Sequence, residues 1–428
     1  MTQFTAILVG NDTLTRECAR QLLSRGHRIA AFVTRNAELR AWAEGEDLRV
    51  ETPGRDLGAR LDDVACDWLL SVANLDILHD DVLALARHGA VNFHDGPLPR
   101  YAGLNAPVWA LLNGEAQHGI TWHRIAGGVD EGDILVQKTF DLAPEDTALS
   151  LNLKCYAAAV DSFGAVLDQL ESPAPAWQVQ DLGQRTYFGR DMRPEAMGYL
   201  RFDRSAQDNA RLVRALNHGD YLNPLCTAKL ALGDRVVAVG EAEVVPGQGA
   251  PGQVLDQTED SLTVACADGA LRLSQLTHLD GTAVSGTDLA QPVTLLSSER
   301  AEALTSLGAQ IAAADTFWRG RFARFSPVGL SGSGGDSNTA SVEFTWPDGL
   351  TTGQKADLVA RWAAQAAGEE SADIALSHAA LPDDPHILGW VPFRAGDDLA
   401  RIRDKGAVAA DIALRLPGLA SLSCPEIA

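Results

Sequence analysis

FTAILVGNDTLTRECARQLLSRGHRIAAFVT, Phe4–Thr34, decides the architecture of the amino-terminal half. Its opening, FTAILVG (Phe4–Gly10), is a short apolar run bounded by turn residues, the pattern of a strand buried inside a parallel sheet. Asn11–Ser24 then changes to a helical period, with Leu14, Cys18 and Leu22 on one face. Gly26 stops the helix, and HRIAAFVT (His27–Thr34) supplies a second strand. Strand, helix and strand in this order predict a right-handed parallel crossover. The first turn offers only Gly10 and no GxGxxG, so no dinucleotide site is expected there.

Working outward, CDWLLSVAN (Cys66–Asn74) reads as a third strand, Asp80–Arg87 as a helix and Ala90–Phe93 as a fourth short strand. Thr147–Leu170 is a long helix, its apolar positions taken as Leu149, Leu153, Tyr156, Val160 and Phe163. SPAPAW (Ser172–Trp177) is a linker signal. A second region, Tyr199 to Leu307, opens with a helix (Ala206–Leu216). It continues as short alternating runs, TAKLAL, VVAVGEAEVV, SLTVACA and ALRLSQL, split by Gly and Asp turns. That spacing predicts a small β-barrel or sandwich. A third region begins near a helix at Glu299–Arg319. It holds a flexible joint, SGSGGDSN (Ser331–Asn338), a strand SVEFTW, a helix Gly353–Ala367 and a closing helix around Asp398–Leu414. The expected domains are therefore residues 1–198, 199–307 and 308–428.

Charge and composition restrict what such a chain does. Hydrophobic residues make up 46% and charged ones 21% of 428 residues, so a sizeable core is expected rather than a disordered chain. Lys+Arg total 35 against 57 Asp+Glu, a formal net charge of −22. Phosphate clamping by Lys and Arg supplies most non-specific affinity for nucleic acid, so extended RNA or DNA contact is disfavoured, as is an acidic membrane surface. The six cysteines (Cys18, Cys66, Cys155, Cys226, Cys266, Cys424) are scattered without CxxC, and each reads as a small buried hydrophobe. The amino terminus lacks the basic residues of a signal peptide and no long apolar window is present, so a cytoplasmic protein is expected.

The chemistry concentrates in Val91–Leu135, VNFHDGPLPRYAGLNAPVWALLNGEAQHGITWHRIAGGVDEGDIL. Asn92 and His94 lie two apart at the end of a predicted strand, so both side chains leave the same face. The Pro- and Gly-rich loop that follows cannot continue the strand. An amide and an imidazole therefore meet at the carboxyl edge of a parallel sheet, where open α/β folds place ligands. About forty residues on, Asp130 stands between glycines at a turn before another strand. Alone, Asp130 is an ordinary turn residue and His94 an ordinary structural or surface histidine; His118 and His123 are taken as packing residues or as supports behind the site residues. The three together outweigh those readings.

These residues resemble the folate-dependent formyltransferases, whose signature is Asn-x-His, a Leu-Pro loop and a later Asp-x-Gly. The matching positions are Asn92, His94, Leu98-Pro99 and Asp130-Glu131-Gly132. RALNHGDYLNP (Arg214–Pro224) is similar to the family's carboxy-terminal β-barrel region. The resemblance implies a Rossmann-like doubly wound parallel sheet, then a small OB-like β-barrel and an α/β carboxy-terminal linker region. It implies 10-formyltetrahydrofolate as formyl donor and no metal, with Asn92, His94 and Asp130 catalytic. Asp76, Ile77, Leu78, the loop Gly96, Pro97, Leu98, Pro99 and the loop Ala126, Gly127, Gly128 are implied to contact the folate. The family loop often reads Ser-Leu-Leu-Pro, so a serine hydroxyl contact is replaced here by Gly96-Pro97. Asn92 suits an oxyanion donor, His94 an oxyanion stabiliser and neutral-range proton acceptor, and Asp130 a group that orients it or relays the proton.

Acceptors within the family are diverse. Residues 200–300 hold 8 Lys+Arg and 13 Asp+Glu, a net of −5, which argues against the initiator tRNA of a methionyl-tRNA formyltransferase. HDGPLPRYAG, HGITWH, TALSLNLKCY and RTYFGR are similar to formylation domains that begin some nonribosomal peptide synthetases. That similarity implies an aminoacyl thioester on a phosphopantetheinylated carrier protein as acceptor. DTFWRGRFARFSPV and GWVPFRAGDDLARIR resemble the condensation-like linker that precedes an adenylation domain, with an amphipathic cap or dimer contact the alternative. Hydroxyornithine or an amino sugar is the rival acceptor. An interaction module that keeps the fold without turnover is the rival of another class.

Overall fold

The computed structural model describes residues 3–284, 286–326, 345–377, 384–416 and 426–427. The chain divides into two compact units, Met1–Arg190 and Asp191–Ala428.

In the first unit, β1 (Thr5–Val9), α1 (Thr13–Ser24) and β2 (Arg28–Val33) form the expected crossover. Asp12 caps α1 by accepting the Thr13 N–H, and Leu14, Cys18 and Leu22 are buried. Further elements are α2 (Ala37–Gly45), β3 (Val50–Glu51), α3 (Leu57–Arg60), β4 (Trp68–Ser71), α4 (Asp80–Leu83) and β5 (Ala90–His94). The helix expected at Asp80–Arg87 is a single turn, because Arg87 N–H leaves for the Cys66 carbonyl and His88 N–H for Asp67. Then come β6 (Ala102–Gly103), α5 (Ala106–Leu112), β7 (Gln117–Arg124), β8 (Ile134–Asp141), α6 (Ala148–Leu170) and β9 (Tyr187–Phe188). The main sheet runs β3-β2-β1-β4-β5-β7-β8. Its strands are parallel through β5, after which β7 and β8 are antiparallel. The Pro-rich loop and α5 return the chain at the carboxyl end of β5, which forces that reversal.

Alternation along β5 separates core from site. Phe93 packs against Trp122 of β7 and Tyr156 of α6, while Trp122 also meets Phe163 and donates its indole N–H to Ser162 at 3.0 Å. Asn92 and His94 therefore face the other way. The helix α6 starts at a capping box of Thr147 and Ser150, but its buried stripe is Leu151, Cys155, Ala158, Ser162 and Val166. Leu153, taken as a core position from the sequence, is 57% exposed. Small residues, Ala and Ser, let this helix lie close to β7 and disguise its inner face.

The second unit carries α7 (Ala206–Leu216) and a six-stranded antiparallel sheet in the order β12-β13-β14-β11-β10-β15. Its strands are β10 (Lys229–Leu232), β11 (Arg235–Val245), β12 (Val254–Gln257), β13 (Leu262–Ala265), β14 (Ala270–His278) and β15 (Val293–Thr294), with α8 (Gly286–Leu289) before the last. The long α9 (Ser298–Phe322) runs unbroken through residue 307. It packs Trp318 and Phe322 with α10 (Thr352–Ala367), β16 (Asp373–Leu376) and β17 (Val391–Arg394) into one core. The closing helix expected over Asp398–Leu414 is instead two short ones, α11 (Leu399–Arg403) and α12 (Ile412–Arg415). Gly406 breaks the run at φ +80°, a conformation in the left-handed region. The stretch Ser331–Asn338 and most of SVEFTW lie outside the described residues, as does Cys424. Cys18, Cys66, Cys155, Cys226 and Cys266 are buried free thiols. Among the described residues no helix is long and apolar enough to cross a membrane.

Candidate active site

Asn92 is registered opposite Ser71 of β4 on one side and His123 of β7 on the other. Residues directly opposite point the same way, which brings the Asn92 Nδ2 within 3.2 Å of the His123 Nε2. Two residues on, His94 is 5% exposed, and its Nε2 lies 2.7 Å from the Tyr101 carbonyl oxygen. A carbonyl only accepts, so Nε2 carries the proton and Nδ1 is the nitrogen left open. That Nδ1 stands 3.6 Å from Asp130 Oδ2 and 3.9 Å from Asp95 Oδ1.

Asp130 arrives on the turn between β7 and β8 with φ +57°. Its Oδ2 accepts the Gly103 N–H at 2.8 Å, and its Oδ1 lies 3.4 Å from His123 Nε2. His123 Nδ1 is 2.9 Å from the Arg124 carbonyl, so that nitrogen also carries a proton and Nε2 is left to face Asn92 and Asp130. Burial raises the Asp130 carboxyl; the bond from His123, the charge of His94 and the Gly103 N–H outweigh it and bring the group down to about 2. Asp130 is therefore an anion throughout the neutral range, held between two imidazoles. Of the two places the sequence leaves open for His123, packing or support behind the site residues, it takes the second. Its cross-strand register to Asn92 is what the sequence does not announce.

The loop after β5 closes over His94. A Cβ on Gly96 would lie 2.7 Å from the His94 Nε2, so only glycine fits that approach. Leu98 N–H donates to Thr121 Oγ1 at 3.1 Å, and Thr121 donates to the Gly96 carbonyl at 2.8 Å. The Leu98–Pro99 peptide is cis. Leu98 itself is buried beside Ala102 and Ile134, its N–H taken by Thr121 and its carbonyl by Gln137. The loop beginning at Asn74 leaves from Ser71, the register partner of Asn92, and Asn74 Nδ2 lies 3.3 Å from Ser71 Oγ. In it Ile77 is 84% exposed, Leu78 packs on the sheet core, and Asp76 pairs with Arg35 at 2.6 Å. Ala126, Gly127 and Gly128 form the exposed start of the Asp130 turn, with Gly128 N–H bonded to Glu131 at 3.1 Å. His118 stays apart: it is buried, its Nε2 2.8 Å from the Asp95 carbonyl, and burial lowers its pKa. Asp133 enters the strand ladder, its carbonyl accepting the Arg124 N–H.

The arrangement offers an amide donor, an imidazole with a free nitrogen and a fixed carboxylate on one sheet face. That set supports proton transfer beside a carbon whose oxygen gains charge. Residues 27–167 match the family model described as formyl transferase, and residues 194–293 the one described as formyl transferase, C-terminal domain. Among solved structures the chain is similar to an N-formyltransferase from Helicobacter canadensis in complex with folinic acid and dTDP-3-aminofucose. The identity is 16% over 65% of this chain and 100% of that one, with a TM-score of 0.51. It is similar to WlaRD, a sugar 3N-formyl transferase, at 17% identity over 64% and 98% of the two chains, with a TM-score of 0.50. A third, HypX from Aquifex aeolicus with tetrahydrofolic acid, shares 16% identity over 65% of this chain at a TM-score of 0.49. This chain spans 44% of the length of HypX. At such identities the likeness to the first two is one of fold.

Proposed function

Because the chain belongs to the formyl transferase family, we propose that it transfers a formyl group from 10-formyltetrahydrofolate, a substrate consumed in each turnover, to an acceptor amine. The observation that carries this reading is the convergence of His94 and His123 on the Asp130 carboxylate, with Asn92 beside His123. Folate complexes among the structural relatives agree with that donor. The exposed apolar Ile77, on a loop that begins beside Asn92, suits a flat heterocycle, and the Gly96–Pro99 and Ala126–Gly128 loops would hold it from either side of the site.

Each residue then has a task. Asn92 Nδ2 lies beside His123 Nε2, and an amide N–H is available to the formyl oxygen as it turns anionic; such a donor is worth ~3–4 kcal/mol. His94 Nδ1 accepts the proton that the attacking amine gives up as the new N–C bond forms. Asp130 stabilises the resulting imidazolium and fixes its ring plane. The proton passes on to the folate nitrogen as its bond to the formyl carbon breaks, so no net charge is left behind.

For the acceptor, we favour an aminoacyl thioester on a phosphopantetheinylated carrier protein, initiating nonribosomal peptide synthesis. It is supported by the net charge of −5 over residues 200–300, unsuited to tRNA, and by the wording of HDGPLPRYAG and RTYFGR. The test mixes the protein and formyl donor with aminoacyl-loaded carrier, hydroxyornithine, amino sugars and methionyl-tRNA, and reads products by mass spectrometry. Formylation confined to the carrier-bound amino acid supports this acceptor. Preferential formylation of a free amine or of tRNA overturns it and leaves the catalytic reading intact.

A further inference from the structure

The turn that presents Asp130 is braced from outside as well as by its own Gly128–Glu131 bond. A non-glycine residue at φ +57° sits in the left-handed region, which side chains disfavour. The turn is also pressed against the end of β7, where a Cβ on Gly132 would lie 1.9 Å from the Arg124 carbonyl. The segment that follows α6 wraps back over it. Gln178 pairs with Ile134 through two backbone bonds of 2.8 Å. Two residues later Gln180, 7% exposed, donates from Nε2 to the Asp130 carbonyl at 2.9 Å and to the Gly132 carbonyl at 2.6 Å. Arg185 donates to the Val129 carbonyl at 2.9 Å. Thr186 Oγ1 accepts the N–H of Tyr101, the residue whose carbonyl holds His94. This segment lies outside both family-matched regions.

We propose that Gln180 is a positioning residue for Asp130: its amide ties the two carbonyls that flank the turn and so aims the carboxylate at His94, His123 and Gly103. A side-chain amide with two hydrogens suits two carbonyl acceptors about one turn apart, and neither a carboxylate nor an alkyl group does. Within the formyl-transfer reading, on which its kinetic consequence rests, Gln180 acts on the proton step and not on folate affinity. Misplacing a reacting group by about 1 Å costs up to ~100-fold in rate.

The experiment compares Gln180→Leu and Gln180→Glu with a surface control, Val179→Ser, whose side chain lies on the exposed side of the same segment. Amide hydrogen exchange at Gly103, whose N–H donates to Asp130 Oδ2, is read without any substrate. Protection there is expected to fall at least ~10-fold in both Gln180 variants and to hold in the control. In turnover, kcat is expected to fall ~10–100-fold with KM for the folate within about twofold. In an Asp130→Asn background, Gln180→Leu is expected to cost less than about twofold more, since the group it positions is already disabled. Unchanged Gly103 protection, or losses that multiply in the double variant, overturn the proposal. Failure of the wild-type chain to transfer formyl groups at all refutes the formyl-transfer reading, and Gly103 exchange then decides on Gln180 alone.

Discussion

Burial on its own would keep the Asp130 carboxyl protonated to a higher pH than usual; His123, His94 and the Gly103 N–H reverse that and hold it at about 2. Because this lies below the value near 4 of an unfolded aspartate, the folded state binds fewer protons here as the pH falls. The group therefore contributes about 2 kcal/mol of stability above about pH 4, lost as the pH falls towards about 2. Asp130→Asn should be less stable than the wild type near neutral pH, with the gap closing as the solution is acidified; urea unfolding of both proteins between about pH 7 and 3 measures it. A gap that does not change with pH means the carboxylate is not held by these partners. His123 belongs to the same cluster, so His123→Ala should lower kcat by roughly 10–100-fold, with Asn92 left to turn away from the reacting oxygen. Steady-state kinetics with a folding check by circular dichroism reads this, and wild-type kcat returns His123 to a packing role. Asn92, His94 and Asp130 were legible because their spacing is local to a strand end and a turn. The choice between packing and support for His123, and the contact of Gln180, were not, since cross-strand register and a contact made 50 residues away leave no mark in a linear pattern.

At the scale of elements, the loop Gly96–Pro99 is built around one short approach. The His94–Tyr101 bond of 2.7 Å occupies the space where a Gly96 side chain would go. Tyr101 reaches that position at φ +61°, its hydroxyl donating to Glu115 at 2.6 Å and its ring stacked on Phe188. Gly96→Ala is therefore expected to part the pair and lower kcat by roughly 10–100-fold, with the melting temperature changed by a few degrees. Turnover at the wild-type level in Gly96→Ala means the Tyr101 carbonyl does not set the His94 tautomer. The strands read from the sequence agree with the observed ones to within three residues because apolar runs bounded by turns carry their own limits, whereas β3, β7, β12, β15, β16 and β17 were not delimited. The inner face of α6 was read only in part: Phe163 is buried as expected, but alanine, cysteine and serine bury as well as leucine against a flat sheet, and a count of large apolar side chains overlooks them. The single long helix expected near the carboxyl end failed at Gly406, whose φ of +80° ends what hydrophobic periodicity alone continues.

Taken whole, each unit is held by its own means. In the second, Lys229 of β10 and Asp411 meet at 2.8 Å, and Asp411 also accepts from Thr227 and from Arg415, which reaches Asp315 of α9 at 2.7 Å. All four charged side chains are 3% exposed or less. Burial opposes the Asp411 charge, and Lys229 and Arg415 overcome it, holding the carboxyl far below its usual range. Breaking such a buried network strands its cations, so Asp411→Ala should destabilise the second unit by about 3–5 kcal/mol. Calorimetry should show one transition falling while that of residues 1–190 stays in place; two unmoved transitions contradict the assignment. This network joins the antiparallel sheet to the carboxy-terminal segment, a union that no local sequence pattern foretells, since its members are drawn from residues 227 to 415. The claim on which the rest depends is that the Asn92, His94 and Asp130 cluster moves a formyl group. Its most direct test supplies isotopically labelled 10-formyltetrahydrofolate and an aminoacyl acceptor to the wild type and to a folded His94→Ala variant, with labelled product followed by mass spectrometry. The account predicts a formylated amine from the wild type and a loss of ~100-fold or more in His94→Ala. Near-equal product from the two proteins would contradict it.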